Sequence, residues 1–173
     1  MKKLLSILSL SALIFVSCSK SGDTIGSVNN NTGANIMVVT VDGTTYTWKV
    51  FATDTILTGQ RVIMVTGIDT TVLITGGIRG GSFQLINISS PGTYDVGPII
   101  PGKGFIQMFY TLNDSTHYAS PVPAANSVGK VIITELTKTS IRASFNGTLT
   151  RNVGSSGATT VSLTNGSVNA IFR

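Results

Sequence analysis

The chain is expected to fold as an all-β domain, a single antiparallel β-sandwich, with a closed or partly closed β-barrel as the alternative. Three observations carry this expectation. From Ala34 onward apolar residues recur with period two, and no 11-residue stretch keeps a helical period. Strand-length segments are separated at short intervals by Gly, Asn, Pro and Asp, the residues that turns require. The chain also has a single cysteine, so no internal disulfide can form and packing alone must stabilise the domain, which favours an ample core over a loop-rich scaffold.

Taken in order, residues 36–41, Asp42-Gly43 and residues 44–52 read as a β-hairpin, because Asp-Gly readily supplies the positive φ angles of a tight primed turn. In its second strand Tyr46, Trp48 and Val50 share one face, while Thr45, Thr47 and Lys49 share the other. Further strand segments are read at residues 61–66, 70–75, 82–89, 104–112, 130–136, 141–150, 159–164 and 167–172, and the sandwich is expected to have about eight to ten strands. Helix is expected only as a turn near residues 121–126. Trp48, Val131, Ile133, Phe145 and Leu163 fall on core faces, and adjacent Phe109 and Tyr110 must point to opposite faces of their strand.

The N-terminus has a separate logic. Lys2 and Lys3 open the chain, residues 4–16 form a 13-residue apolar run, and small Ser17 precedes Cys18. This is the plan of a removable secretory signal. At ~1.5 Å per residue the run covers only ~20 Å as a helix, short of the ~30 Å hydrocarbon core of a bilayer. Leu13-Ile14-Phe15-Val16-Ser17-Cys18 resembles the lipobox of bacterial lipoproteins, with Phe15 where Leu is usual. That resemblance implies lipidation of Cys18 and cleavage just before it. The expected organisation is a signal peptide at residues 1–17, a lipidated Cys18 and polar, glycine-rich tether at residues 18–33, and the β-sandwich domain at residues 34–173. From its composition the tether is a flexible coil with a root-mean-square span of ~20 Å.

Val41-Asp42-Gly43 with Tyr46 and Trp48, Phe83-Gln84-Leu85-Ile86-Asn87-Ile88 and Pro91-Gly92-Thr93-Tyr94 resemble a family of small Bacteroidota lipoproteins, a domain of unknown function. So, in the family's order, do Val128-Gly129-Lys130-Val131-Ile132-Ile133-Thr134, Ile141-Arg142-Ala143-Ser144-Phe145 and Leu163-Thr164-Asn165-Gly166-Ser167-Val168. Ala143 replaces a usual Gly and Val168 a usual Phe, departures that fit repacking of one strand pair. The resemblance implies a fold and a compartment, the cell envelope, with the anchor in the outer membrane. In such lipoproteins acidic residues soon after the cysteine favour surface display. Asp23 satisfies this and Lys20 opposes it, so the leaflet stays open. Asp23-Thr24-Ile25, Asp54-Thr55-Ile56, Asp69-Thr70-Thr71 and Asp114-Ser115-Thr116 resemble the O-glycosylation tripeptide of exported Bacteroidota proteins, which implies Thr24, Thr55, Thr70 and Ser115 as acceptors.

Chemistry is sparse. The formal charge is +5, and loss of Lys2 and Lys3 with the signal leaves ten basic against seven acidic side chains, without a cluster that would suit nucleic acid. His117 is the only histidine, which excludes a multi-histidine metal site, and nothing asks for a cofactor. His117 follows Asn113-Asp114-Ser115-Thr116, but residues this close along a polar turn rarely assemble a triad, and no Gly-x-Ser-x-Gly elbow exists. Gly76-Gly77-Ile78-Arg79-Gly80-Gly81 lacks the Lys-Ser/Thr of a phosphate loop and reads as a flexible connection between strands. Tyr46, Trp48, Phe51, Phe105, Phe109, Tyr110 and Tyr118 are the aromatics that could stack on a flat ligand. The expected role is binding or structural and not catalytic. A glycan- or peptide-binding module is the first alternative and a hydrolase using His117 the second.

Overall fold

A computed structural model of the chain describes residues 34–73, 77–99, 104–113, 115–121, 126–151 and 158–173. Cys18, Thr24 and the whole signal and tether lie outside them, as does most of the expected turn at residues 121–126. The strands are β1 (Ile36–Val41), β2 (Thr44–Leu57), β3 (Gln60–Ile68), β4 (Gly80–Ile86), β5 (Gly92–Asp95), β6 (Phe105–Asn113), β7 (Thr116–Ala119), β8 (Gly129–Leu136), β9 (Ser140–Arg151) and β10 (Thr159–Ile171), with one helical turn, α1 (Thr70–Leu73).

All ten strands belong to one antiparallel sheet in the order β10-β1-β2-β3-β4-β6-β7-β9-β8-β5, and an added β9–β10 pairing brings the sheet back on itself. The result is ring-like and consistent with a β-sandwich. Its seam is uneven. β9 and β10 pair along most of their length, whereas β7 meets β9 only at Ala119 and Thr150. β8 and β5 continue past β9, and a parallel bridge from Val96 to Ile106 ties that flap back to β6.

Local chemistry explains the elements. Asp42 (φ 46°) and Gly43 (φ 86°) both take positive φ, as do Thr58 (φ 48°) and Gly59 (φ 81°). Both hairpin turns are therefore of the primed kind that matches strand twist. Strict alternation along β1 and the first half of β2 turns Met37, Val39, Val41, Trp48, Val50 and Ala52 inward. Trp48, Val131, Ile133, Phe145 and Leu163 are all in the core, and Tyr110 is buried while Phe109 faces the other way. Ala143 and Val168 are direct register partners on β9 and β10, and both are fully buried.

Four expectations need correction. Residues 70–73 do not form a strand, and residues 74 and 75 lie outside the described residues. The Asp69 carboxylate accepts from the Thr71 amide (3.0 Å) and the Thr71 hydroxyl (2.6 Å), an N-cap that commits this β-branched run to α1. Residues 159–164 and 167–172 are not separate strands. Asn165 (φ 49°) and Gly166 sit in a bulge within continuous β10, where the pairing to β9 shifts. A Cβ at Gly166 would fall onto the Phe145 ring and the Phe145 carbonyl (2.6 Å), so glycine is needed there for packing. Gly80 and Gly81 belong to β4 and not to a flexible connection. Finally, β2 runs on to Leu57, and β5 and β7, of four residues each, were too short to show a period.

Replacing buried Trp48 or Phe145 with Ala should cost ~3–5 kcal/mol of stability. Gly166→Ala should cost ~1–3 kcal/mol by overpacking against Phe145. Denaturant midpoints measure all three, and an unchanged midpoint would remove that residue from the core.

Candidate functional site

Strand directions place the Asp42–Gly43 turn, the ends of β3 and β6, the start of β7 and the β9–β10 ends at one end of the ring. Aromatic side chains converge there. Tyr46 and Trp48 come from β2, Tyr110 from β6 and Tyr118 from β7, all on the inward face. Their rings form a ladder: Tyr46–Trp48 at 6.0 Å, Trp48–Tyr110 at 6.1 Å and Tyr110–Tyr118 at 6.0 Å between centroids. The two Trp48 contacts are stacked and the last is tilted.

The ladder exists because two strands give up their side chains beneath it. Gly67 of β3 and Gly81 of β4 are register partners, and Gly81 in turn opposes Tyr110. A Cβ at Gly67 would meet Trp48 Cε3 at 3.1 Å, and one at Gly81 would meet Trp48 Cζ3 at 3.0 Å. The indole thus lies across both strands and reaches the Tyr110 ring.

Above the ladder is a cleft of about 190 Å³ lined by Asp42, Thr44, Tyr46, Tyr110, Leu112 and Tyr118, among others. Asp42 is fixed by the amide of Ser162, which donates to its Oδ1 at 2.8 Å. Behind Tyr46, outside the cleft lining, the Arg79 guanidinium lies over the Tyr46 ring at 5.3 Å from its centroid. Arg79 is held by Asp69: the Asp69 amide donates to the Arg79 carbonyl at 2.9 Å, and the two side chains pair at 3.7 Å. Burial alone would raise the Asp69 carboxyl, but hydrogen bonds from Thr71 and the nearby Arg79 charge outweigh it, and its pKa falls below the ordinary carboxylate range. Tyr110 is pushed up to about 12, first by burial and then by the neighbouring Tyr46. Its phenol stays neutral at physiological pH, able to donate or accept.

The other candidates lie apart from the cleft lining. His117 is exposed, with Nδ1 3.1 Å from Thr111 Oγ1, and the Ser115 hydroxyl donates to Asn113 Oδ1 at 3.1 Å. Serine and histidine of that turn are therefore engaged with different partners. Of the glycosylation acceptors, Thr55, Thr70 and Ser115 are exposed, at the end of β2, on α1 and between β6 and β7. Phe51 and Phe109 point away from the ladder side of their strands. No group of three or more metal-ligating side chains occurs among the described residues. A second, more apolar hollow of about 150 Å³, walled by Ile68, Ile78 and Phe109, lies beside Arg79. The tyrosines were visible in the sequence as aromatics of undecided face, but Arg79 was not visible as a site residue. Its only signal was a lone cation inside a glycine-rich run. Against protein-family models, curated proteins and solved structures the chain has no match.

The raised Tyr110 pKa sets a pH dependence. A folded-state value above the unfolded value of 10 means that the native chain holds this proton more tightly, so its stabilising contribution is complete below pH 10 and is lost as pH rises through about 12. Denaturation followed between pH 9 and 12 should show that decline, and Tyr110→Phe should remove the part due to this phenol.

Proposed function

We propose that the protein is a lipid-anchored cell-envelope binding protein, held to the outer membrane through Cys18, that takes a saccharide ring in the tyrosine cleft. The observation that carries the ligand class is the convergence of Tyr46, Tyr110 and Tyr118 at one cleft beside the Asp42 carboxylate. Pyranose rings offer an apolar C–H face to aromatic rings and hydroxyls to phenols and carboxylates, so both halves of the lining are used. A cleft of about 190 Å³ is smaller than the ~300–1,000 Å³ of sites that enclose a whole drug-sized ligand. It suits one ring of a longer chain whose remainder stays in solvent.

The compartment rests on the apolar run that ends at the only cysteine, and on the resemblance to small Bacteroidota lipoproteins. The described chain supports a workable geometry. β1 starts at Ile36, just after Asn35, and runs towards the cleft, so a tether preceding Asn35 attaches away from the ligand end. The role is read as binding, since the cleft combines stacking surfaces with hydroxyls and one carboxylate. O-glycans on Thr24 and on at least one of Thr55, Thr70 and Ser115 would shield the domain from proteases.

Calorimetry against a panel of oligosaccharides tests the ligand. Tyr46→Ala and Tyr118→Ala should each weaken binding about tenfold or more, by the ~1.4 kcal/mol or so that one stacking face supplies, while His117→Ala should leave it unchanged. Binding indifferent to both tyrosines would sink the cleft assignment. For the anchor, Cys18→Ser should release the mature protein from the detergent phase. An intact mass showing an unmodified N-terminus beyond residue 18 would refute lipidation.

A further inference from the structure

The other end of the domain carries an unusual feature. Of the eight large apolar side chains exposed among the described residues, Phe51, Ile56, Leu57, Met64 and Ile171 gather along the β2–β3 hairpin and the adjoining end of β10. The two at the tip are the most open of the five, Ile56 at 72% and Leu57 at 54%.

Register shows why no described strand covers them. On one side of β2, β1 begins at Ile36 opposite Lys49, and the last bridge from the C-terminal segment reaches Ala52. On the other side, β4 ends at Ile86 opposite Val62, and the Asn87 amide still donates to the Arg61 carbonyl at 2.9 Å. The hairpin pairs on to Leu57 and Gln60, so its last turn projects past its neighbours on both flanks. The core also stops short of it. Arg61 forks onto Asp54, with Nε at 3.0 Å from Oδ1 and Nη2 at 2.6 Å from Oδ2, and this ion pair closes the inner face below Ile63. Beyond it Ile56 continues the inner-face row and Leu57 the outer-face row, so the tip is apolar on both sides.

We propose that this hairpin tip inserts into the interfacial zone of the lipid bilayer to which the protein is anchored. The proposal rests on the anchor reading given above. Two observations select a bilayer over another protein surface. First, the most exposed apolar pair, Ile56 and Leu57, sits on a narrow projecting tip, whereas a stable protein interface needs ~800 Å² on each partner. Second, distances agree. Asn35 is fixed beside Val50, and Leu57 lies seven residues further along β2, a drop of ~23 Å at ~3.3 Å per residue. The segment from Cys18 to Gly33 has an expected span of ~20 Å. An acyl group on Cys18 and the hairpin tip would therefore meet the same lipid plane, with the tyrosine cleft held at the far end.

Leu57→Trp provides the probe, in lipidated full-length mature protein reconstituted into vesicles of phosphatidylcholine and phosphatidylglycerol with bromine-labelled acyl chains. Native Trp48, 2% exposed, supplies an unquenched baseline, and Leu112→Trp at the cleft end serves as the remote control. The emission added at position 57 should fall by roughly half, as for a side chain seated at the headgroup–acyl boundary, while that at position 112 stays constant. Protein that floats with the vesicles but shows no quenching at position 57 overturns the insertion and leaves the anchor reading standing. Protein that does not float refutes the anchor and this proposal together. Concentration-dependent sedimentation abolished by Leu57→Asp, without quenching, would instead assign the tip to a second copy of the chain and overturn the proposal. A glycan on Thr55 in protein from its native host would overturn it too, because a bulky hydrophilic group two residues from Leu57 keeps the tip in water.

Discussion

An indole cannot lie flat against the inside of a small ring of strands unless the strands it crosses carry no side chains there. Gly67 and Gly81 meet this condition as adjacent register partners, and the rest of the cleft end follows from it. Trp48 reaches from β2 across β3 and β4 to Tyr110 on β6, so four consecutive strands of the sheet are locked by one side chain. A larger residue at either glycine would lift the ring, break the stack on Tyr110 and drop the floor of the cleft. The burial has a cost, for the Trp48 Nε1 is buried without a hydrogen-bond partner among the described residues. An unmatched donor costs ~1–3 kcal/mol, against ~3–5 kcal/mol for losing a packed aromatic outright. Packing wins at this position.

Asp69 and Arg79 brace the Tyr46 end of that ladder. The β3–β4 connection could have hung loosely over the end of the ring. Instead its first residue caps α1, and the backbone of Asp69 meets that of Arg79, so the connection closes on itself and brings the guanidinium over Tyr46. Asp69 stays ionised although burial opposes it, because the Thr71 donors and the Arg79 charge together exceed the desolvation penalty. Its stabilising contribution is therefore present above the ordinary carboxylate range and is lost only as pH falls through its lowered value. The acid that folds the connection also aims the cation.

The parts of this structure that were legible in the sequence are those where one local signal dominates. Alternation named the inward faces of β1 and β2, and Asp42-Gly43 named a primed turn, because neither depends on what packs opposite. Where two signals compete, only the tertiary partner decides. Asn165-Gly166 has the chemistry of a turn, yet the Phe145 ring occupies the space beside Gly166 and makes it a bulge in an unbroken strand. Thr70 and its β-branched neighbours have the propensity of a strand, yet a cap from Asp69 bends them into a helical turn. Gly81 sits in a glycine-rich run that suggests mobility, yet it is fixed by an indole from a strand more than thirty residues earlier. The cleft was half visible for the same reason: tyrosines can be listed from sequence, but which of them share a wall depends on register.

Closing a sheet into a ring removes most of the unpaired edges that invite aggregation, and the remaining edges show how the chain treats the rest. β5, at the end of the strand order, is only four residues long and is preceded by Pro91, both devices that blunt an edge. The lower half of β2 is different. Past Ala52 it has no strand partner on one side among the described residues, yet it carries Ile56 and Leu57 in the open. The charges nearest to it, Asp54 and Arg61, point inward to seal the core and leave the tip apolar. A chain that blunts one edge and leaves another apolar is balancing the same hazard against different surroundings. In bulk water such a tip invites association, whereas at a lipid surface the same residues gain the burial that the fold denies them. The domain is in this sense built with two unlike ends, a polar aromatic cleft formed by strand register and an apolar tip formed by strands that stop early.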